Sequence, residues 1–161
     1  MTDAPMPDGL TPERLAYVEQ VANFWQAGGL GHAAGAILGY LTVCEPAAQT
    51  QAEIASALGL SAGTVSTQLR TLAGVEMVEK VRRMGVRTHF YQLPQDMWVR
   101  LIGSEDRRIA GLRELADAGI AVMPATRHDR IASLEQMVRF FEHEWPLLSK
   151  RLEEFLRKEA S

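Results

Sequence analysis

The sequence contains a single cysteine, Cys44, among its 161 residues. One cysteine excludes an intrachain disulfide and leaves no cysteine cluster for a structural metal site. The chain also has no apolar run approaching the roughly 18 residues that a transmembrane helix needs. Its N-terminal stretch lacks a basic region followed by an apolar segment, so the sequence shows no signal peptide. These absences predict a cytoplasmic protein with no membrane partner.

Enzyme motifs are lacking as well. The four histidines are scattered without metal-ligand spacing, and neither a phosphate-binding loop nor a nucleophile elbow is present. We therefore expect no catalytic residues, no bound metal and no cofactor, which leaves binding as the class of function to consider.

Positive charge is scarce overall but concentrated in one segment. The formal net charge is −3, which argues against a protein that coats nucleic acid generally. Between Ser61 and Leu93, however, five basic residues face only two acids. Because local charge matters more than the total for nucleic-acid binding, this segment is the candidate contact region.

The N-terminal part shows helical patterns after an acidic, proline-rich stretch. Residues 1–10 are predicted to be a disordered tail. Thr11, Pro12 and Glu13 supply an N-cap, a first-turn proline and a first-turn acid, which predicts a helix over residues 11–27. We assign this N-terminal helix to dimerisation, as the family resemblance given below implies. The next predicted helix carries small residues at steps of four, which allow another backbone to approach closely; these are Gly31, Gly35 and Gly39.

The stretch ASALGLSAGT is typical of a helix-turn-helix. Thr50 can cap a helix over residues 51–58, and Gly59 can supply the turn between the helices. Ser61 can then cap a second helix that ends at Gly74.

Two segments that alternate apolar and polar residues follow the helix-turn-helix. They are VEMVEKV and VRTHFYQL, joined by the turn RRMG, and this pattern predicts a two-stranded hairpin with basic residues around its tip. A basic hairpin after a helix-turn-helix indicates a winged-helix DNA-binding domain, which we assign to residues 28–93.

The second helix of the motif has an almost acid-free polar face. A helical projection places Val65, Leu69 and Leu72 toward the core and puts hydroxyl groups and one arginine opposite. Such groups can meet phosphates and base edges in a DNA major groove, and a basic wing can reach the minor groove or the backbone. The residues predicted to contact DNA in the two helices and the wing are Thr50, Ser61, Gly63, Thr64, Ser66, Thr67, Gln68, Arg70, Thr71, Arg82, Arg83, Arg87 and His89.

The C-terminal region, residues 94–161, predicts one helix from about Asp96 to Gly119 and a last helix over about residues 128–159. Apolar residues in the last helix recur at alternating steps of three and four, as in a heptad seam. A helix of about 30 residues is roughly 45 Å long, which exceeds what a small domain buries. We therefore predict a homodimer that uses Leu134, Val138, Phe141, Trp145, Leu148, Leu152 and Phe155. The predicted fold is mainly α, a winged helix-turn-helix core with a small β-hairpin wing and long terminal dimerisation helices.

Residues 28–93 resemble the GbsR branch of MarR-type regulators. The similar features are the segment from Gly35 to Gly39, the CEP turn, the LGLSAGTVST segment, and Gly85–Val86–Arg87 followed by Phe90–Tyr91. The resemblance implies a twofold dimer with two recognition helices in successive major grooves of a near-palindromic operator, whose half-sites lie about one helical turn apart.

The resemblance also implies a transcriptional regulator of double-stranded DNA, a repressor under the control of a small-molecule effector. Four aromatic residues that flank the DNA-binding core in sequence form a candidate effector pocket, suited to a cationic or aromatic molecule. They are Tyr17, Phe24, Trp25 and Trp98. Core packing is the alternative role for these residues.

Two other functions fit parts of the sequence. The acidic total charge and the modest basic patch are compatible with a winged helix that binds another protein and not DNA. The lone Cys44 is compatible with a redox-sensing regulator, although its neighbour Glu45 would raise the pKa of the thiol and no basic residue lies nearby in sequence. A small buried residue is the other reading of Cys44.

Overall fold

The computed structural model of the protein describes residues 10–127 and 129–160. The chain divides into two compact units, of which the first ends at Met97 and the second begins at Trp98. The helices of the first unit are α1 (Pro12–Ala27), α2 (His32–Val43), α3 (Gln51–Leu58) and α4 (Ala62–Gly74). The strands are β1 (Gln49–Thr50), β2 (Glu79–Arg82) and β3 (His89–Gln92). The later helices are α5 (Met97–Gly103), α6 (Glu105–Val122) and α7 (Asp129–Glu159), with a 3₁₀ turn at Ala125–Arg127.

The first helix begins where the sequence predicts. The Thr11 side chain accepts a hydrogen bond from the Arg14 backbone N–H at 3.3 Å, and Pro12 occupies the first turn. Most of the predicted disordered tail, residues 1–9, lies outside the described residues. Its last residue, Leu10, is described and is buried, so the prediction of disorder is wrong at that position. The reason is that burying an apolar side chain is favoured over leaving it in water.

Helices α1 and α2 pack with their backbones in close contact. A Cβ atom added at Gly35 would lie 2.8 Å from the Ala22 Cα, and one added at Gly39 would lie 2.9 Å from the Val18 Cα. Side-chain carbons do not approach this closely, so the contact needs glycine at both positions. The prediction of tight small-residue packing is confirmed at Gly35 and Gly39, as packing inside the first unit. It is wrong at Gly31, which caps α2 and where an added Cβ would meet nothing within 4 Å.

The helix-turn-helix forms with the predicted bounds. Thr50 and Glu53 make a complete capping box, in which Glu53 N–H donates to Thr50 Oγ1 at 3.2 Å and Thr50 N–H donates to Glu53 Oε2 at 2.6 Å. Gly59 adopts a left-handed conformation with φ of 62° and turns the chain into α4. The predicted core residues of α4 are fully buried, namely Val65, Leu69 and Leu72.

The sheet has three strands and not the two predicted. Its order is β1-β3-β2, antiparallel throughout, with Gln49 opposite Tyr91 and Thr50 opposite Phe90. Strand β1 is only two residues long and is defined by its pairing with β3, about forty positions later in the chain. The local pattern of apolar and polar residues therefore does not predict it. The predicted hairpin is present between β2 and β3, although β2 starts at Glu79 and not at Val75.

The second unit contains two helices where the sequence predicts one. A break at Ser104 separates α5 from α6, and the Ser104 hydroxyl donates to the Leu101 carbonyl at 2.8 Å. The Ser104 backbone keeps helical hydrogen bonds to the Arg100 carbonyl and from the Arg108 N–H, so the break is a single residue between two helical segments. Gly119, predicted to end the helix, lies inside α6, where a Cβ would overlap the Ile131 side chain of α7.

Helices α6 and α7 pack against each other along the apolar side of α7. Across the outer edge, Arg113 makes a two-pronged ion pair with Glu142, with its Nε donating to Oε1 at 2.9 Å and its second terminal nitrogen donating to Oε2 at 2.6 Å. Pro146 lies inside α7. The predicted start of this helix at residue 128 lies outside the described residues, and α7 is described from Asp129.

Among the helices that the structure describes, none combines the length and the apolar character needed to span a bilayer.

Candidate nucleic-acid interface

The N-terminal end of α4 presents backbone and hydroxyl donors. The Ser61 hydroxyl oxygen accepts from the Thr64 N–H at 3.0 Å and lies 2.8 Å from the Thr64 hydroxyl. Gly63, Thr67 and Arg70 are exposed on the side of α4 opposite its buried leucines. The arrangement on α4 is therefore the one that the helical projection predicts.

The polar side chains of α4 are not equivalent. The Thr71 hydroxyl donates to the Thr67 carbonyl at 3.2 Å and is tied to its own helix. The Thr67 side chain is exposed and makes no hydrogen bond within residues 10–127 and 129–160. Ser66 and Gln68 are half-buried at the edges of the face. Thr67 is therefore the side chain on this face best placed to meet an outside partner.

The tip of the β2–β3 hairpin is an exposed turn. The Val86 N–H donates to the Arg83 carbonyl at 3.2 Å, and Gly85 takes a positive φ of 78°. The Arg83 guanidinium lies 4.2 Å above the ring of Phe90, a cation–π contact that holds it against the strand. Arg87 is exposed and makes no ion pair within the described part of the chain.

His89 lies opposite Arg82 in the hairpin and is half-buried. Desolvation, followed by the positive charges of Lys80 and Arg82, lowers the pKa of its imidazole. This lowering favours the neutral ring, which can both donate and accept a hydrogen bond.

A groove of about 310 Å³ runs between α4 and the hairpin. Its lining residues come from one stripe of α4 and from the facing strands, and they are Ser66, Leu69, Arg70, Ala73, Lys80 and Tyr91. Sequence reasoning counted the positive charge of Lys80 but did not include this residue in the candidate site. The alternation of EKVR, which puts Lys80 and Arg82 on one face of a strand, is the signal that could have found it.

Thr50 and Ser61 have structural roles that compete with the predicted contact to DNA. Thr50 is half-buried, pairs in β1 and caps α3, so its hydroxyl is already engaged. Ser61 caps α4 but is exposed, and its oxygen stays near the surface.

The predicted effector aromatics do not form one cluster within either unit. Phe24 is 65% exposed on α1 and packs edge-on against Trp25, with the ring centroids 5.3 Å apart. Tyr17 is also exposed on α1, and Trp98 is exposed in the second unit. The groove beside α4 and the clefts along α7 are lined by other residues, so the effector pocket stays a prediction.

Cys44 is a buried free thiol at the end of α2. Its Sγ lies 3.8 Å from the Leu41 carbonyl oxygen and 3.7 Å from that of Ala47. Burial raises the pKa of the thiol to about 11, so the reactive thiolate is nearly absent at neutral pH. This environment favours the reading of Cys44 as a packed core residue over a redox sensor.

The predicted dimer seam on α7 has two parts. Val138 and Trp145 are already buried within the chain, and Leu134 and Leu152 are half-buried. Three members of the seam remain exposed, and they are Phe141, Leu148 and Phe155. Clefts of about 420 and 190 Å³ flank Trp145 along this helix.

Comparison with known proteins gives consistent matches. A family model described as MmpR5-like MarR family transcriptional regulator matches residues 96–155. The HTH-type transcriptional regulator MmpR5 of Mycobacterium tuberculosis is 29% identical over 138 residues, which cover 84% of this chain and 84% of that protein. These matches are to transcriptional regulators and not to enzymes. Both carry the MmpR5 name, so the GbsR branch stays a prediction.

A solved structure of a transcriptional regulator has a similar fold. A crystal structure described as a transcriptional regulator superposes with a TM-score of 0.79 at 27% identity, covering 89% of this chain and 99% of that one. The match therefore extends over both units and over nearly the whole of the other protein. The fold, the exposed face of α4 and these matches together support a DNA-binding winged helix-turn-helix transcriptional regulator that is similar to MarR-type regulators.

Proposed function

We propose that the chain is a homodimeric repressor that binds a near-palindromic operator with two α4 helices in successive major grooves. The observation that carries this proposal is the exposed, acid-free face of α4, Gly63–Thr67–Arg70, beside an arginine-tipped hairpin. In winged-helix proteins the recognition helix reads base edges, while a basic wing tracks the minor groove or the backbone.

Each part of the interface has its own role in this proposal. Thr64, Thr67 and Gln68 lie on or beside the exposed face of α4 and meet base edges through their hydroxyl and amide groups. Arg82 and Arg87 of the wing meet phosphates or the minor groove. Arg83, held over Phe90, supports the wing and contributes charge.

The dimer rests on the unequal lengths of α6 and α7. Helix α6 has 18 residues and α7 has 31, so their lengths are about 27 and 46 Å. The apolar stripe of α7 continues into exposed residues near its C-terminal end, among them Leu148 at 52% and Phe155 at 58% exposure. A second copy of the chain would cover this stripe with an identical stripe, as a twofold interface requires.

Effector control belongs to the same proposal. A small molecule that prefers the DNA-free form would shift the population away from the operator-bound state. The four aromatics Tyr17, Phe24, Trp25 and Trp98 remain the proposed contacts for it, and the cytoplasm remains the proposed location.

The proposal is tested by selecting duplexes from a random library with the wild-type protein and measuring affinity against salt. We expect Arg87→Ala to weaken binding roughly tenfold and to lower the salt slope by about one per protomer, because a phosphate contact is lost. We expect Thr67→Ala to change the preferred bases. Lys150→Ala, which removes an exposed charge from α7, is the control and should bind as the wild type does.

Two results would contradict the DNA-binding assignment of these residues. One is tight duplex binding that is insensitive to both salt and Arg87. The other is a failure to enrich any duplex, which would favour the protein-interaction alternative.

A further inference from the structure

The groove between α4 and the hairpin has a positive rim. Arg70 and Lys80 are both exposed at this groove, and neither makes an ion pair within the described residues. The floor is supplied by Leu69, which is buried, and by the small side chain of Ala73. Two uncompensated cations at the mouth of a small, partly apolar groove are suited to a compact anion.

The hairpin extends this positive rim in one direction. Lys80 pairs with Tyr91 and Arg82 pairs with His89, so the four side chains alternate onto the same face of the β2–β3 ladder. Lys80 and Tyr91 line the groove, which shows that this face is turned toward α4. The lowered pKa of His89, caused in part by Lys80 and Arg82, is consistent with a positive potential over this face.

The acids of the hairpin do not neutralise the groove. Glu79 alternates onto the other face of the ladder, where its carboxylate accepts a hydrogen bond from the Gln92 amide at 2.6 Å. Glu76 lies in the turn that leaves α4 and is not among the lining residues. Lys80 therefore presents its charge to the groove without a carboxylate partner.

Arg70 belongs to two surfaces of α4 at once. It lies one turn beyond Ser66 and one turn before Ala73 on the stripe that faces the groove, and it also borders the exposed Gly63–Thr67 face. A ligand in the groove would thus lie directly beside the surface proposed to read bases.

We propose that this groove is a binding site for one phosphodiester of the DNA backbone, held between Arg70 and Lys80 with hydroxyl donors from Ser66 and Tyr91. The assignment rests on the proposed function, since it requires α4 to lie in a major groove. It makes Lys80 a DNA-binding residue and makes Arg70 a phosphate contact and not a reader of guanine. The bound phosphate fixes the depth and register of α4, and Thr67 and its neighbours read the sequence.

The first experiment compares variants on the best duplex selected by the wild-type protein. Lys80→Ala and Arg70→Ala should each weaken binding roughly tenfold and lower the salt slope by about one per protomer. Their preferred sequences should equal that of the wild type, because a phosphate contact carries no base information. Lys80→Arg should restore most of the affinity, and Lys150→Ala is the charge-matched control.

The second experiment locates the contact on the DNA. Each phosphate of the duplex is replaced in turn by a neutral methylphosphonate. One replacement per half-site should lower the affinity of the wild-type protein roughly tenfold. The same replacement should not lower the affinity of the Lys80→Ala variant any further. All other replacements should affect both proteins equally.

The outcomes separate the two levels of the proposal. If the wild-type chain selects no duplex, the proposed function fails. If it does and Lys80→Ala binds equally well, or changes base preference, the groove assignment alone is overturned. Inorganic phosphate at matched ionic strength should not displace the duplex more than chloride does; a displacement that disappears in Lys80→Ala would reassign the groove to a free anion.

Discussion

Two weakly acidic side chains are buried beside each other in the first unit. The Tyr40 hydroxyl donates to the buried Gln49 Oε1 at 2.9 Å, and the Gln49 amide donates to the Pro46 carbonyl at 2.6 Å. Burial raises the pKa of Tyr40 to about 12 and that of Cys44 to about 11. Both groups are therefore held in their neutral forms, which suits a packed support for β1 better than a reactive site.

These raised pKa values predict a loss of stability at alkaline pH. The unfolded chain ionises Cys44 near its ordinary pKa of about 8.5, whereas the folded chain keeps the proton until about pH 11. The stabilisation is complete below the lower value and is lost as pH rises through this window. Between about pH 8 and pH 10 the free energy of unfolding should decrease by about 1–2 kcal/mol less in Cys44→Ala than in the wild type. Urea denaturation at each pH measures this difference.

The same measurement on Tyr40→Phe separates the two groups. That variant should keep the alkaline loss due to Cys44, since the Tyr40 contribution is lost at higher pH, toward about 12. An unchanged pH profile for Cys44→Ala would contradict the burial of the thiol.

At the scale of elements, the contact between α1 and α2 supports the unit that presents α4. Helix α2 is buried along most of its length, and its glycines let α1 approach to backbone contact. This close approach brings the carbon atoms of the two helices into contact, which contributes dispersion and hydrophobic stabilisation. Helix α2 in turn contacts both α3 and α4, so a change in the packing of α1 is transmitted to the helix-turn-helix through α2.

Adding a single methyl group at this contact should be destabilising. In an open helix, replacing glycine with alanine gains up to about 1 kcal/mol, but at Gly39 the new Cβ would meet the Val18 backbone at 2.9 Å. We expect Gly39→Ala to lower the unfolding free energy by about 1–3 kcal/mol in urea denaturation. Gly111→Ala in α6, where a Cβ meets nothing within 4 Å, is the matched control and should not destabilise. Equal effects of both changes would disprove the close approach.

The elements predicted correctly from the sequence are those whose ends are set by neighbouring residues. Thr50, Gly59 and Ser61 specify caps and a turn within a few positions, so α3 and α4 match their predicted bounds. Strand β1 depends on β3, a partner that local patterns do not show. The break at Ser104 is a single residue in a segment that is otherwise helical, and the pattern of apolar residues does not mark it.

The candidate site also has parts that local sequence patterns predict and parts that depend on tertiary packing. The exposed face of α4, Gly63–Thr67–Arg70, follows from helical periodicity, which is local, and agrees with the prediction. The groove that includes Lys80 requires knowing that the sheet faces α4, which is a tertiary fact. The buried state of Val138 and Trp145 likewise depends on the packing of α6 against α7.

At the scale of the whole molecule, the net charge of the chain and the proposed dimer both bear on the affinity for DNA. The chain is acidic overall, with a net charge of −3, so the proposed attraction to DNA is local to the segment that holds α4 and the wing. In the proposed complex one such segment makes few phosphate contacts, and the second subunit doubles them on one duplex. If the apolar stripe of α7 is the dimer interface, affinity for an operator should therefore depend on that stripe.

This dependence gives a final test, which uses the exposed end of the stripe. Leu148→Glu with Phe155→Glu should raise the dimer dissociation constant by about 100-fold, because two charges per protomer would have to be buried. Sedimentation equilibrium measures the change, and operator affinity should fall with it while the protomer stays folded. Met84→Glu, at a fully exposed wing residue, is the control and should leave the association state unchanged. A double variant that remains dimeric would show that the subunits meet through other surfaces, and a wild-type monomer would exclude the twofold operator complex.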